Sequence, residues 1–220
     1  IPHPRIIDVL DLEHIDGDIY RGRVIPSVLS RTFGGQVAAQ ALQAATQTVD
    51  TEYQVHSLHG YFVAPGNSVE PTLYIVERIR DGRSFCSRQV KAVQNGKPIF
   101  IMQASFHVRT DEGPEHSDVM RQVVGPESIE LHTDDMPPVR RALLEEWSEW
   151  DIRIVPQGDF EPNKYAASQQ LVWFKSKAEL PDDETFHIST LAYMSDMTLL
   201  SSALVPVSYT HLRAHETPEH

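Results

Sequence analysis

One alanine-rich stretch, Phe33 to Thr48, constrains the fold more than any other part of the chain. Small apolar side chains recur in it at the three- and four-residue spacing of one helical face, which predicts an α-helix. The residues on that face are Val37, Ala38, Ala41, Leu42 and Ala45. Alanine lets a neighbouring backbone approach closely, whereas an ordinary surface helix presents Leu and Ile. We therefore predict a buried helix that is wrapped by a curved sheet.

Two glycines, Gly34 and Gly35, stand at the start of this helix. The first amides of a helix have no intrahelical partner, and a residue without a Cβ lets a ligand or a strand come near. Gly34 and Gly35 are therefore candidate substrate-binding residues. The alternative is an ordinary entry turn that touches no ligand.

Charge and composition exclude several classes of protein. The formal net charge of −12 argues against a nucleic-acid surface and does not favour anionic lipid. Apolar runs stay short of the ~20 residues that span a membrane, and no basic-then-apolar leader is visible. One cysteine, Cys86, excludes an internal disulfide and fits a reducing compartment. We expect a soluble, cytoplasmic protein with neither a nucleic-acid nor a membrane partner.

Alternating apolar and polar residues predict strands on both sides of the helix. A short run at 18–25 precedes the helix. Four runs follow it, at 53–64, 71–80, 84–94 and 98–109, with an Asn-Gly hairpin signal before the last, and we predict that they form a long antiparallel meander. In the last run every second residue is apolar, so that face should be buried against the helix. The residues on it are Phe100, Met102, Ala104, Phe106 and Val108.

The second half begins with a polar, Pro- and Gly-containing segment, 110–138, which is typical of a connection between domains. A short helix at Val139–Trp150 and two strands, at 151–155 and 168–177, are predicted next. The longest helical candidate is Glu184–Leu204, which the acidic pair Asp182 and Asp183 should cap.

Asp196 is the candidate catalytic residue in that last helix. Apolar side chains stand one turn away from it, among them Ala192, Tyr193 and Leu199, and an unpaired charge on such a side is costly. A carboxylate in this setting can position and deprotonate a water molecule. The alternative is an Asp that is satisfied by a nearby backbone donor or by a hydroxyl such as that of Ser195 or Thr198, or one on a solvated flank.

Other chemistry has little support in the sequence. His56 and His59 should lie on opposite faces of a strand, and no helix signal supports the pair His211 and His215, so no metal site is predicted. Cys86 lacks an activating neighbour, and no nucleophile elbow, P-loop or dinucleotide motif is present. We expect no cofactor and no covalent intermediate.

Five stretches resemble the acyl-CoA thioesterase II family, whose members carry two hotdog folds in one polypeptide. They are FGGQVAAQAL (33–42), VHSLHGYFVAPG (55–66), RDGRSF (80–85), QNGKPIFIMQASF (94–106) and YMSD (193–196). The resemblance implies an α+β hotdog fold, a long helix wrapped by an antiparallel sheet, and hydrolysis of fatty acyl-CoA to fatty acid and CoA. In the family, the Asp at the position of Asp196 acts with a Thr or Ser and a Gln from later strands to orient the attacking water.

The sequence departs from the family after Val207, where it continues as SYTHLRAHETPEH. We therefore expect an incomplete second hotdog that lacks the Thr and Gln partners. The expected divisions are an N-terminal hotdog (1–110), a linker with a short helix (111–150), a partial C-terminal hotdog (151–207) and a foreign or disordered tail (208–220).

An incompletely covered second helix should expose Ile188, Leu191 or Leu199, which predicts a homo-oligomer. The alternative to the enzyme is a non-catalytic acyl-CoA-binding or interaction module. A third candidate, a hotdog hydratase, would need an Asp-His pairing that is not visible.

Overall fold

The computed structural model describes residues 4–109, 113–130, 138–156, 159–160, 169–197 and 199. The predicted tail, the end of the predicted second helix and the pair His211 and His215 lie outside these residues. The described elements in chain order are α1 (Ile6–Leu10), β1 (Glu13–Asp16), β2 (Ile19–Gly22), α2 (Gly34–Thr46), β3 (Tyr53–Phe62), β4 (Thr72–Asp81), β5 (Phe85–Gln94), β6 (Lys97–Val108), a 3₁₀ turn (Pro126–Ser128), α3 (Pro138–Glu146), β7 (Trp150–Ile154), β8 (Val172–Ser176) and α4 (Glu184–Ser195).

Helix α2 is the buried centre of the N-terminal half, as its alanines predict. Val37, Ala41, Leu42 and Ala45 pack in one hydrophobic core with side chains from the sheet. The opposite side of α2 is buried as well, because Ala39 packs in a second core with residues of α1 and α4. The helix is therefore enclosed between the sheet and two other helices, and small side chains allow all of them to approach it.

The sheet has six antiparallel strands in the order β1-β2-β4-β5-β6-β3. The β5–β6 hairpin turns at Asn95 (φ 49°) and Gly96 (φ 73°), as the Asn-Gly signal predicts. The alternation in β6 is confirmed, since Phe100, Met102 and Phe106 are fully buried while Gln103 is exposed.

The predicted four-strand meander is wrong in one respect. Strand β3 pairs with β6, from Tyr53 opposite Val108 to Phe62 opposite Phe100, and not with β4. The connection from β3 to β4 is bonded to the segment before α2 instead of closing a hairpin, because Thr32 N donates to Gly66 O at 2.9 Å. Neighbouring strands in a sequence pair only about two-thirds of the time, and periodicity carries no information on the partner.

Several element boundaries also differ from the sequence prediction. Helix α4 ends at Ser195, so Asp196 lies in the turn after the helix and not within it. The run at 18–25 is part of a hairpin of two short strands, β1 and β2, whose turn is at Gly17 (φ 50°). Helix α3 ends at Glu146, and Trp150 belongs to β7, because a turn at 147–149 separates them.

Strands β7 and β8 form a separate antiparallel pair, and α4 packs on α2. The prediction that an acidic residue caps α4 is confirmed for Asp183, whose Oδ1 accepts from Thr185 N at 2.9 Å. Within the described ranges no helix has the length and apolarity to cross a bilayer.

Candidate active site

The candidate site forms where the end of α4 meets the start of α2. Asp196 follows the last residue of α4, and its Oδ2 accepts a hydrogen bond of 2.9 Å from the backbone N of Gly35. Gly34 lies against the same carboxylate. The structure thus brings together Asp196, Gly34 and Gly35, which sequence analysis identified separately.

Both glycines are required by close contact and not by backbone conformation, since neither has a positive φ. A methyl group at Gly34 would lie 2.6 Å from Asp196 Oδ2 and 3.0 Å from the ring of Phe62. A methyl group at Gly35 would overlap the carbonyl oxygen of Tyr193. The absence of Cβ atoms therefore lets α4 approach α2, while contact of these glycines with a substrate stays a prediction.

The Asp196 carboxylate is half-buried, and burial raises its pKa. The hydrogen bond from Gly35 has the smaller, opposite effect and lowers the pKa. The alternative interpretation names two hydroxyl donors, Ser195 and Thr198. The Ser195 hydroxyl donates to Ala192 O at 2.8 Å and not to Asp196, and Thr198 lies outside the described residues. Among the described residues no hydrogen-bond donor binds Asp196 Oδ1.

A cluster of three aromatic side chains packs where the end of α4 meets the start of α2. The Phe33 ring contacts Trp147 and Tyr193 at centroid distances of 5.2 and 5.1 Å, and Trp147 Nε1 donates to Tyr193 Oη at 3.2 Å. Burial raises the pKa of Tyr193 to about 12, so its hydroxyl is neutral. Sequence reasoning missed Trp147 as a supporting residue, because no local spacing connects it to the start of α2.

A cavity of about 390 Å³ opens beside the same helix start. Phe62 lines this cavity and also flanks Gly34, so the cavity and the carboxylate are neighbours. No group of three or more His, Cys, Asp and Glu side chains in the described part of the chain could hold a metal ion. Cys86 is buried and burial raises its pKa, which is opposite to the shift of an activated thiol.

Comparison with known proteins identifies the family. The description "Acyl-CoA thioesterase N-terminal domain" matches residues 25–107, and "Acyl-CoA thioesterase" matches residues 145–217. Human acyl-coenzyme A thioesterase 8 is 36% identical over an alignment of 220 positions that covers 94% of this chain and 69% of the relative. The chain belongs to the acyl-CoA thioesterase II family.

Other members of this family agree. Acyl-CoA thioesterase 2 of Haemophilus influenzae is 37% identical over 209 residues, with 91% of this chain and 72% of the relative covered. The crystal structure of acyl-CoA thioesterase II TesB2 from Mycobacterium marinum has 47% identity and a TM-score of 0.80, and the match covers 96% of this chain and 75% of that one.

The hotdog fold is confirmed independently by a distant structure. A hot dog fold protein from Alicyclobacillus acidocaldarius has a TM-score of 0.66 at 21% identity, over 87% of this chain and 68% of that one. The family and the α+β fold that the sequence predicts are therefore both correct.

Proposed function

We propose that this chain hydrolyses fatty acyl-CoA to a free fatty acid and CoA, with Asp196 as the base. The observation that carries the proposal is the contact between Asp196 and the start of α2 in a chain of this family. The positive end of the α2 dipole and the Gly35 amide hold the carboxylate in place with one oxygen left over.

The proposed reaction needs no covalent intermediate. Asp196 Oδ1 takes a proton from water as the water oxygen attacks the thioester carbon. The carbonyl oxygen becomes an oxyanion, and amides of the first turn of α2 that lack an intrahelical partner, such as Gly34 N and Gln36 N, donate to it. Such donors contribute ~10² to 10³ in rate. The C–S bond then breaks, and the thiolate of CoA receives the proton from Asp196.

The raised pKa of Asp196 suits this role. A general base works best when its pKa lies near the working pH, and burial moves a carboxyl group in that direction.

The assembly and the location of the protein are further parts of the proposal. Leu191 and Leu199 are 55% and 66% exposed on the α4 side of the molecule, which favours a homo-oligomer that covers them. We propose a cytoplasmic enzyme with the domain divisions given above. Light scattering that finds a monodisperse monomer would contradict the homo-oligomer.

Thiol release from a panel of short- to long-chain acyl-CoAs tests the function. Release above the non-enzymatic rate supports the thioesterase. A folded protein that binds acyl-CoA without releasing thiol would instead support the alternative, a non-catalytic acyl-CoA-binding module.

A further inference from the structure

The cavity beside α2 has a mainly apolar wall with one cationic edge. It lies between the segment before α2, the loop after β3 and the side chain of Ile99 in β6. Its apolar lining includes Val37, Phe62, Val63, Ala64 and Ile99. Arg31 and the hydroxyl-bearing Thr32 provide the polar groups of the wall.

The rim of this cavity is already ordered by hydrogen bonds. Arg31 and Asn67 form an isolated β-bridge, and Thr32 N donates to Gly66 O. The buried Gln94 carboxamide accepts from Asn67 N at 2.8 Å and donates to Asn67 O at 3.0 Å. A ligand would therefore meet a pre-formed wall, which reduces the entropy cost of binding.

Two polar groups of the wall have no partner in the part of the chain that the structure describes. Thr32 Oγ1 is buried without a hydrogen bond. Arg31 is exposed and makes no ion pair there, whereas Arg21, Arg23 and Arg78 each bind a carboxylate. A buried hydroxyl without a partner is unfavourable, so a ligand that supplies the missing hydrogen bond gains from it.

We propose that this cavity takes the CoA half of the substrate, with Arg31 against the phosphates and the Thr32 hydroxyl against an amide of the pantetheine arm. The inference rests on the proposed function. An acyl chain has no hydrogen-bonding group and no charge, so it would leave Arg31 and Thr32 unpaired. The CoA half carries amides, methyl groups and phosphates, which together match the hydroxyl, the apolar wall and the guanidinium.

The distribution of charge also favours an anionic ligand at this cavity. The chain carries a formal charge of −12, which opposes the approach of an anionic ligand over most of the surface. The guanidinium of Arg31 offsets this repulsion at the cavity. Phe62 lines the same cavity and also flanks Gly34 beside Asp196, so the positive charge lies near the candidate active site.

Kinetics of Arg31→Gln on two substrates test the assignment. The substrates are decanoyl-CoA and S-decanoylpantetheine, which has the same thioester and amides but no phosphate. We expect KM for decanoyl-CoA to rise about 5- to 10-fold, with kcat unchanged, since an exposed charged contact contributes modestly. Values for S-decanoylpantetheine should not change, and Arg31→Lys should recover most of the loss.

Two further variants test the Thr32 hydroxyl and control for the loss of a positive charge. Thr32→Val removes the hydroxyl at similar volume, and we expect KM to rise about 3- to 10-fold for both substrates. Arg83→Gln is the matched charge control, because exposed Arg83 lies in the β4–β5 turn near Tyr53, beyond the opposite end of the 13-residue α2. This variant should leave every value unchanged.

Direct binding of CoA distinguishes failure of this inference from failure of the proposed function. Calorimetry should give a Kd for CoA that is about 5- to 10-fold weaker in Arg31→Gln, whether or not the wild type turns over acyl-CoA. If the wild type shows no turnover but Kd for CoA changes as expected, the proposed thioesterase activity is contradicted and the assignment of Arg31 stands. An unchanged KM together with an unchanged Kd for CoA would overturn the assignment of Arg31. So would variants that alter chain-length preference while CoA binding stays intact, because the cavity would then hold the acyl chain.

Discussion

Replacing Gly35 with alanine tests the contact between α2 and α4 with one methyl group. The added Cβ would overlap the carbonyl oxygen of Tyr193 and lie 2.6 and 2.8 Å from atoms of the Phe33 ring. A backbone carbonyl cannot rotate away, so α4 must shift. Overpacking of this kind costs about 1 to 3 kcal/mol. For a chain of this length, we expect Tm to fall by about 2 to 12 °C.

Gly34→Ala should instead lower kcat while leaving the stability nearly unchanged. Its methyl group would meet Asp196 Oδ2 at 2.6 Å and the Phe62 ring at 3.0 Å, and both are side chains that can move. Replacement of glycine also stabilises a helix-compatible position by about 0.4 to 1 kcal/mol. Stability should therefore stay within about 1 kcal/mol of the wild type. A displaced carboxylate no longer holds its water, and a 1 Å error in position costs about 10²-fold in kcat.

Thermal unfolding by circular dichroism and thiol release from decanoyl-CoA measure the two effects. Gly113→Ala is the control, because a Cβ there would have no atom within 4 Å, and both readouts should stay at wild-type values. Wild-type kcat in Gly34→Ala would refute the role of the Asp196 position. An unchanged Tm in Gly35→Ala would refute the close contact with Tyr193.

Three other predictions concern pH, a buried arginine and a helix cap. Burial raises the pKa of Asp196, so kcat/KM should decrease on acidification with a midpoint above the ordinary carboxyl pKa of about 3.9. A midpoint at or below that value would contradict the assignment of Asp196 as the general base. Arg88 is 1% exposed and donates hydrogen bonds to Thr48 Oγ1, Thr48 O and Asp81. Arg88→Lys should therefore lower the free energy of unfolding by at least about 2 kcal/mol in urea titrations. An unchanged urea midpoint would count against this network. Asp183→Ala should cost about 1 kcal/mol by loss of the α4 cap, whereas Asp182→Ala, at an exposed position, should have no effect; equal losses in differential scanning calorimetry would show that the cap is not specific.

Local periodicity explains why much of the fold was predictable. The α2 face and the buried face of β6 repeat every three to four and every two residues, and each pattern is contained in one segment. Strand β3 pairs with β6 and not with β4, and no periodicity identifies the partner of a strand. Strands β1 and β2 have four residues each, too few for a clear alternation.

The candidate site was predictable only in parts. Gly34 and Gly35 were recognised as a helix start, and Asp196 as a carboxylate among apolar neighbours, with its role coming from the family resemblance. Their hydrogen bond joins residues 161 positions apart, and such a contact has no sequence pattern. The same limit applies to Trp147 and Phe62, which reach the site only through the tertiary fold.

The measurement that tests the central claim most directly is kcat for decanoyl-CoA in Asp196→Asn beside the wild type. Asn can still accept from Gly35 N but cannot take a proton from water, so we expect kcat to fall by about 10² to 10⁴. The raised pKa means that ionisation of Asp196 destabilises the folded state as pH rises through it, so Tm at pH 7 should not fall. Loss of turnover with an unchanged or higher Tm and intact CoA binding is the predicted result. Wild-type turnover in Asp196→Asn would contradict the account.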